Sequence, residues 1–169
     1  GFRGGKKFGK GVMTFASVER VAPKITPEMR IVRSPIVLGK VLRYEGDFLE
    51  DQMNGQGSAL MANGAIYMGS IEKDQFNGAG AVTYPDGAVY EGEFRDDLAD
   101  GKGKITYTDG STYDGDWIAG VIEGQGRATY ANGVVYEGGY KNARNHGIGI
   151  MTYSDGYRYE GEWQDGQRD

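Results

Sequence analysis

Gly78-Ala79-Gly80-Ala81-Val82-Thr83-Tyr84-Pro85-Asp86-Gly87-Ala88-Val89-Tyr90-Glu91-Gly92-Glu93-Phe94 is the stretch on which the fold turns. In Tyr90–Phe94 apolar or glycine positions alternate with acids. In Gly78–Tyr84 the aromatic falls in step with the glycines. A period of two belongs to a strand, not to the 3.6-residue turn of a helix. Asp86-Gly87 between two such runs is a strong hairpin signal. Residues opposed across an antiparallel pair share a face, so Tyr84 and Tyr90 share one only if an odd number of residues turns the corner. The reading is a three-residue loop, Pro85-Asp86-Gly87, with proline at the first turn position and Gly87 left-handed in a bulge. Val82 then faces Tyr90, Gly80 faces Gly92 and Gly78 faces Phe94, with the rings lying over glycines.

Outward from this hairpin the chain repeats itself, the first property to seek in a sequence rich in glycine. Tyr44, Tyr67, Tyr90, Tyr113, Tyr136 and Tyr159 are spaced by 23 residues without a slip. Two residues on stand Gly46, Gly69, Gly92, Gly115, Gly138 and Gly161, and two further Phe48, Ile71, Phe94, Trp117, Tyr140 and Trp163. Gly-x-Gly pairs run from Gly55/Gly57 to Gly147/Gly149. Asx-Gly turns follow at Asn63-Gly64, Asp86-Gly87, Asp109-Gly110, Asn132-Gly133 and Asp155-Gly156.

Tyr90-Glu91-Gly92-Glu93-Phe94, Tyr159-Glu160-Gly161-Glu162-Trp163 and His146-Gly147-Ile148-Gly149 resemble the MORN (membrane occupation and recognition nexus) repeat. Asn54, Asn77, Asp100 and Glu123 depart from it at the histidine position. The resemblance covers residues 44–169, read as five full repeats and a final partial one. It extends to residues 1–15, where Phe2, Gly9, Gly11 and Phe15 fall on the same grid as a partial repeat. The fold it implies is all-β: an extended, twisted antiparallel sheet of stacked 23-residue hairpins forming a groove.

Residues 16–43 are the exception. Val21, Pro23 and Ile25 fall on the Tyr, Gly and aromatic positions, and Val32, Ser34, Ile36 and Leu38 continue the in-facing pattern, as in a degenerate repeat. Against this, three of the four prolines (Pro23, Pro27, Pro35) lie here, where a central strand would exclude them. A loop insertion, with a short helix after Thr26-Pro27-Glu28, is the other reading. Gly1-Phe2 corresponds to the middle of a strand and Asp169 to a loop, so the sequence reads as a piece of a longer protein.

The 169 residues hold 30 glycines, 12 tyrosines, four prolines and no cysteine. Glycine without a Gly-X-Y period excludes collagen, and the aromatic content argues against disorder. Disulfide frameworks and thiolate metal sites are excluded. No apolar run is long enough for a transmembrane helix. Residues 1–43 hold ten Lys/Arg and two Glu, a balance of +8; residues 44–169 hold nine basic and 22 acidic side chains, a balance of −13.

Enzymatic readings find little to hold. The single histidine, His146, is placed in a repeat loop with a structural role, and no nucleophile has a base beside it. Asp109, Asp114 and Asp116 lack calcium-loop spacing, so turn chemistry explains them better. Gly-x-Gly here opens a strand rather than a helix, which removes dinucleotide and phosphate-loop readings. No catalytic residue, metal or cofactor is expected.

A ribbon of hairpins has no sequence left for a covering layer, so it curls or leaves a stripe of rings exposed, and an extended apolar stripe marks a binding surface. The groove aromatics expected to meet a partner are Tyr44, Tyr67, Tyr90, Phe94, Tyr113, Trp117, Tyr136, Tyr140, Tyr159 and Trp163. The opposite face carries acids in two columns: Glu45, Glu91, Asp114, Glu137 and Glu160, then Asp47, Glu93, Asp116 and Glu162. Either these form a solvated face with weak ion pairs or they recruit a basic partner. The resemblance implies a scaffold that binds a protein or peptide, with a homodimer expected and no nucleic acid. An anionic-lipid adaptor, as in junctophilins and MORN-bearing lipid kinases, is the alternative. It would rest on the basic residues Lys6, Lys7, Lys10, Arg30 and Arg33, because the acidic array repels anionic lipid. Accessory service to a catalytic domain outside this sequence, as in MORN-bearing lipid kinases and a lysine methyltransferase, is the third reading.

Overall fold

The period-two alternation of the repeats becomes a single antiparallel sheet in the computed structural model, which describes residues 11–14 and 38–168. Its strands are β1 (Gly11–Thr14), β2 (Val41–Leu49), β3 (Gln52–Met61), β4 (Ile66–Glu72), β5 (Gln75–Thr83), β6 (Val89–Arg95) and β7 (Leu98–Thr106). They continue as β8 (Thr112–Ile118), β9 (Val121–Thr129), β10 (Val135–Lys141), β11 (Arg144–Thr152), β12 (Arg158–Gln164) and β13 (Gln167–Arg168). No helix occurs among the described residues. From β2 to β12 each strand pairs with its neighbours in sequence, and the sheet remains open.

The decisive hairpin has the register its parity requires: Gly78 opposite Phe94, Gly80 opposite Gly92, Val82 opposite Tyr90. Its loop is Pro85-Asp86-Gly87, closed by Gly87 N–H donating to Tyr84 O at 2.9 Å, with Gly87 at φ +95°. The carboxylate of Asp86 accepts from Ala88 N–H at 3.0 Å. Asn63, Asp109, Asn132 and Asp155 do the same two residues on. A short acceptor side chain is what this turn needs, which is why Asx precedes the glycine.

A second loop type joins the other ends of the strands. Pairs such as Lys73-Asp74 and Asp96-Asp97 turn the chain in two residues, both at positive φ (48° and 65°; 48° and 70°). That is a type I′ hairpin turn built largely without glycine. The left-handed residues are held from the repeat before. Asn54 Oδ1 accepts from Lys73 N–H at 3.1 Å, while Asp74 Oδ1 accepts from Met53 N–H at 2.7 Å. One repeat later Asn77 holds Asp96, and Asp97 holds Phe76.

Register from strand to strand draws one glycine from each of β1 to β12 into a line across the sheet: Gly46, Gly57, Gly69, Gly80, Gly92, Gly103, Gly115, Gly126, Gly138, Gly149, Gly161 and Gly11. Gly11 is last because β1 pairs with β12, at the opposite edge of the sheet from β2. Leu38 is buried, and its N–H donates to Asp97 O in the β6–β7 turn at 2.9 Å. The stretch leading into β2 therefore runs toward that turn.

Candidate interaction surface

Each repeat tyrosine lies along the glycine line and bends back on its own strand. Tyr90 Oη donates to Glu93 O at 3.0 Å, three residues on. Tyr44, Tyr67, Tyr113, Tyr136 and Tyr159 make the same bond at 2.6–3.2 Å. The ring covers two glycines so closely that a Cβ on Gly103 would stand 2.6 Å from the Tyr90 ring, and one on Gly92 2.5 Å from Gly103 Cα. No side chain fits there without overpacking.

The rings also hold one another. Tyr67, Phe94, Tyr90, Trp117, Tyr113, Tyr140, Tyr136, Trp163 and Tyr159 form an unbroken edge-to-face chain, with centroids 5.0–5.6 Å apart and planes at 77–87°. Tyr90, Tyr113 and Tyr136 each touch the aromatic four residues on and the one in the next repeat. Such contacts add about 0.5–1.5 kcal/mol each beyond the area they bury. Trp117 and Trp163 also donate their indole N–H to Gly103 O and Gly149 O, at 3.0 and 3.2 Å.

Nine of the ten groove aromatics therefore form the core. Tyr67, Tyr90, Phe94, Tyr113, Trp117, Tyr136, Tyr140, Tyr159 and Trp163 are at most 4% exposed, and Tyr44 is half-buried. Burial raises the Tyr67 phenol to about 12. It pushes the phenols of Tyr90, Tyr113, Tyr136 and Tyr140 higher still. One repeat carries a polar variation: Tyr140 lies opposite buried Asn145, where the neighbouring repeats pair Trp117 with Ile122 and Phe94 with Ala99. Asn145 and Tyr140 both meet the Tyr130 phenol.

On the outer face the second acidic column is partly structural. At the first glycine of each Gly-x-Gly the strand bulges, with Gly101 at φ +103° and Gly124 at +112°, and a backbone N–H loses its ladder partner. Asp47 accepts from Gln56 N–H at 3.0 Å, Glu93 from Lys102 N–H at 2.6 Å, and Asp116 from Gln125 N–H at 2.9 Å. Together with Lys102, which pairs with it, this bond holds the Asp116 carboxyl below the usual carboxylate range. Asp109 is likewise engaged, by Ser111 N–H at 2.9 Å and Ser111 Oγ at 2.5 Å, which lower its pKa. His146 lies in β11 rather than in a loop, one residue before the bulge glycine Gly147. Its column holds Asn54, Asn77 and Asp100, which serve as acceptors for the next repeat's turn.

What remains free to meet another molecule is the row of outward side chains. A shallow depression of ≈ 510 Å³ is lined by the backbone of Gly115, Gly126 and Gly138 and by Lys102, Asp114, Gln125, Arg127, Glu137 and Ile150. Arg127 Nε lies 3.8 Å from Glu137 Oε2, both well exposed. Arg158 pairs with Glu160 at 3.0 Å. Of these lining residues the sequence marked Asp114 and Glu137, in one acidic column. Gln125 and Ile150 join them only through strand register.

The first two described repeats differ from the rest. Leu42, Phe48, Leu49, Leu60, Ile66 and Met68 are 38–63% exposed. The signal was available: Met68 stands where Glu91, Asp114, Glu137 and Glu160 stand, and Leu60 where later repeats have threonine. Lys6, Lys7, Lys10, Arg30 and Arg33 lie outside the described residues.

The family model described as the MORN repeat matches residues 1–17, 44–66, 67–89, 90–112, 113–135, 136–156 and 159–169. No curated protein matches. Among solved structures, the chain is similar to the SAS-4 (dCPAP) TCP domain in complex with a proline-rich motif of Ana2 (dSTIL), of Drosophila melanogaster. The two are 14% identical over 83% of this chain and 84% of that one, with a TM-score of 0.42, a likeness too low to bear on function.

Proposed function

This chain belongs to the MORN-repeat family, and from that premise we propose that it is a non-catalytic interaction module for a protein or peptide partner. The observation that carries this reading is the division of labour between the faces. Rings and glycines are used up in packing the repeats, while the outer face offers charged and polar side chains at fixed spacing around a glycine-backbone depression. An open depression walled by Arg127 and Glu137 on one side and Lys102 and Asp114 on the other suits an extended segment carrying both charges, rather than a small molecule that needs enclosure. The groove aromatics then act from beneath: they set the curvature and rigidity of the surface without touching the partner.

The experiment is partner capture by the full chain and by Arg127→Glu/Glu137→Lys, whose side chains are exposed and whose exchange leaves the net charge unchanged. Capture lost at an unchanged melting temperature supports the reading. Strong, salt-sensitive binding to anionic vesicles without any protein partner overturns it in favour of the lipid adaptor.

A further inference from the structure

Four of the chain's six asparagines are followed by glycine: Asn54, Asn63, Asn77 and Asn132. Asn-Gly is a sequence prone to lose its side-chain amide, because glycine has no side chain to shield its own nitrogen. That nitrogen attacks the asparagine Cγ. The new N–Cγ bond closes a succinimide ring, and the side-chain nitrogen leaves as ammonia, taking the proton that the glycine N–H gives up. Water then opens the ring. Attack of water at Cγ returns an ordinary aspartate; attack at the main-chain carbonyl gives isoaspartate, whose backbone runs through the former side chain.

The fold ties down both reacting groups at the two turn sites. Gly64 N–H donates to Met61 O and Gly133 N–H to Tyr130 O, both at 2.9 Å, so neither nitrogen is free to give up its proton. Asn63 Oδ1 accepts from Ala65 N–H at 2.9 Å and Asn132 Oδ1 from Val134 N–H at 3.1 Å, which holds each carboxamide away from the attacking nitrogen. At the two strand sites the carboxamide is tied to the next repeat: Asn54 Oδ1 accepts from Lys73 N–H at 3.1 Å, and Asn77 Oδ1 from Asp96 N–H at 3.0 Å. Aspartate already does both jobs elsewhere in the array. Asp86, Asp109 and Asp155 accept the turn bond, and Asp100 Oδ2 accepts the inter-repeat bond from Ala119 N–H at 2.9 Å.

We propose that these four asparagines are modification sites gated by hairpin opening, and that their aspartate product is one the fold accepts. Each conversion adds a negative charge to an array that is already acidic, at a position where other repeats carry aspartate. Isoaspartate is the disruptive product. In the turns it lengthens the backbone of a loop whose odd residue count sets the register of the hairpin. The two classes of site open at different cost. Asn63 and Asn132 are exposed, and opening one loop frees them; Asn54 and Asn77 are half-buried, and two neighbouring repeats must part before their carboxamides are released.

The test follows the full chain in mildly alkaline buffer, with and without a denaturing concentration of urea. Peptide mass spectrometry reads the acid and isoaspartate fractions at each asparagine over time. In urea all four sites are expected to convert at similar rates. In the folded chain Asn63 and Asn132 are expected to convert at least about tenfold more slowly than in urea, with Asn54 and Asn77 slower again. Folded turn sites that convert at the urea rate overturn the gating, and so do strand sites that convert ahead of turn sites. Lack of conversion at these asparagines in urea overturns the assignment itself. Asn63→Asp and Asn132→Asp then test the product: both are expected to melt at the parent's temperature, and a clear drop in either overturns the claim that the fold accepts aspartate there.

Discussion

Phe94 and Phe48 are the same residue at the same place in two repeats, yet one is 4% exposed and the other 62%. Phe94 is wedged between its own Tyr90 and Tyr67 of the repeat before, at 5.1 and 5.2 Å. Among the described residues, Phe48 has only the ring of Tyr44. A 23-residue hairpin carries half of each contact it needs, and its neighbour carries the other half. Burial in this molecule is therefore a property of position in the row, as expected where stability sums repeat and nearest-neighbour terms.

The largest expected effect that separates interior from edge is alkaline. The interior phenols of Tyr67, Tyr90, Tyr113, Tyr136 and Tyr140 are raised by burial above their ordinary value of 10.0. The folded state thus holds protons that the unfolded chain releases. Their stabilisation is complete below pH 10 and declines as pH rises from there through the folded values, at on the order of 1.4 kcal/mol per pH unit for each such tyrosine. Tyrosinate absorbance is expected to rise in one cooperative step with loss of sheet. Gradual ionisation of these rings in an intact sheet would contradict their burial.

Truncation sharpens the comparison directly. Phe94→Ala is expected to destabilise by about 3–5 kcal/mol, as for a buried aromatic that leaves a cavity. Phe48→Ala is expected to lie within about 1 kcal/mol of the parent under monomeric conditions, as at a surface site. Equal shifts in denaturant midpoint would break the argument that neighbours supply the burial.

Glycine positions give the next contrast. Gly103→Val drives a branched side chain into the Tyr90 ring and is expected to cost about 1–3 kcal/mol. Gly110→Ala lies in a loop with no atom near the added Cβ, so only the strain of its φ of +88° remains, on the order of 1 kcal/mol. Thermal melts of the two variants decide whether packing or backbone conformation dominates.

The smallest contrast is on the outer face. Asp116→Ala removes the acceptor for Gln125 N–H at the bulge and is expected to cost about 1 kcal/mol. Glu91→Gln, in the other acidic column, is expected to change stability by less than about 0.5 kcal/mol. Comparable shifts at the two sites would return Asp116 to the solvated face.

Hairpin, register and ring-over-glycine packing were legible in residues 78–94, because parity and Asx-Gly chemistry are local and each repeat confirms the last. The two-residue turns were not. Lys73-Asp74 and Asp96-Asp97 lack the glycine that advertises positive φ, and what holds them is a side chain nineteen residues earlier, in another repeat. The bulge acceptors Asp47, Glu93 and Asp116 read as surface acids for the same reason, since the N–H each one satisfies is freed only once the strands are paired.

By itself, then, the sequence determined the unit: its length, its turn, its faces and the kinship of GKGVMT at residues 9–14 with GIGIMT at 147–152. Tertiary structure decided what lies next to what. The 23-residue grid states that β1 is a Gly-x-Gly strand but not which tyrosine strand receives it, because every tyrosine strand offers a similar edge. Only the assembled sheet shows β1 on β12, the rings closed over one another, and β2 left with Phe48 uncovered. Strand pairing depends on which edge is still open, and that is a property of the whole row.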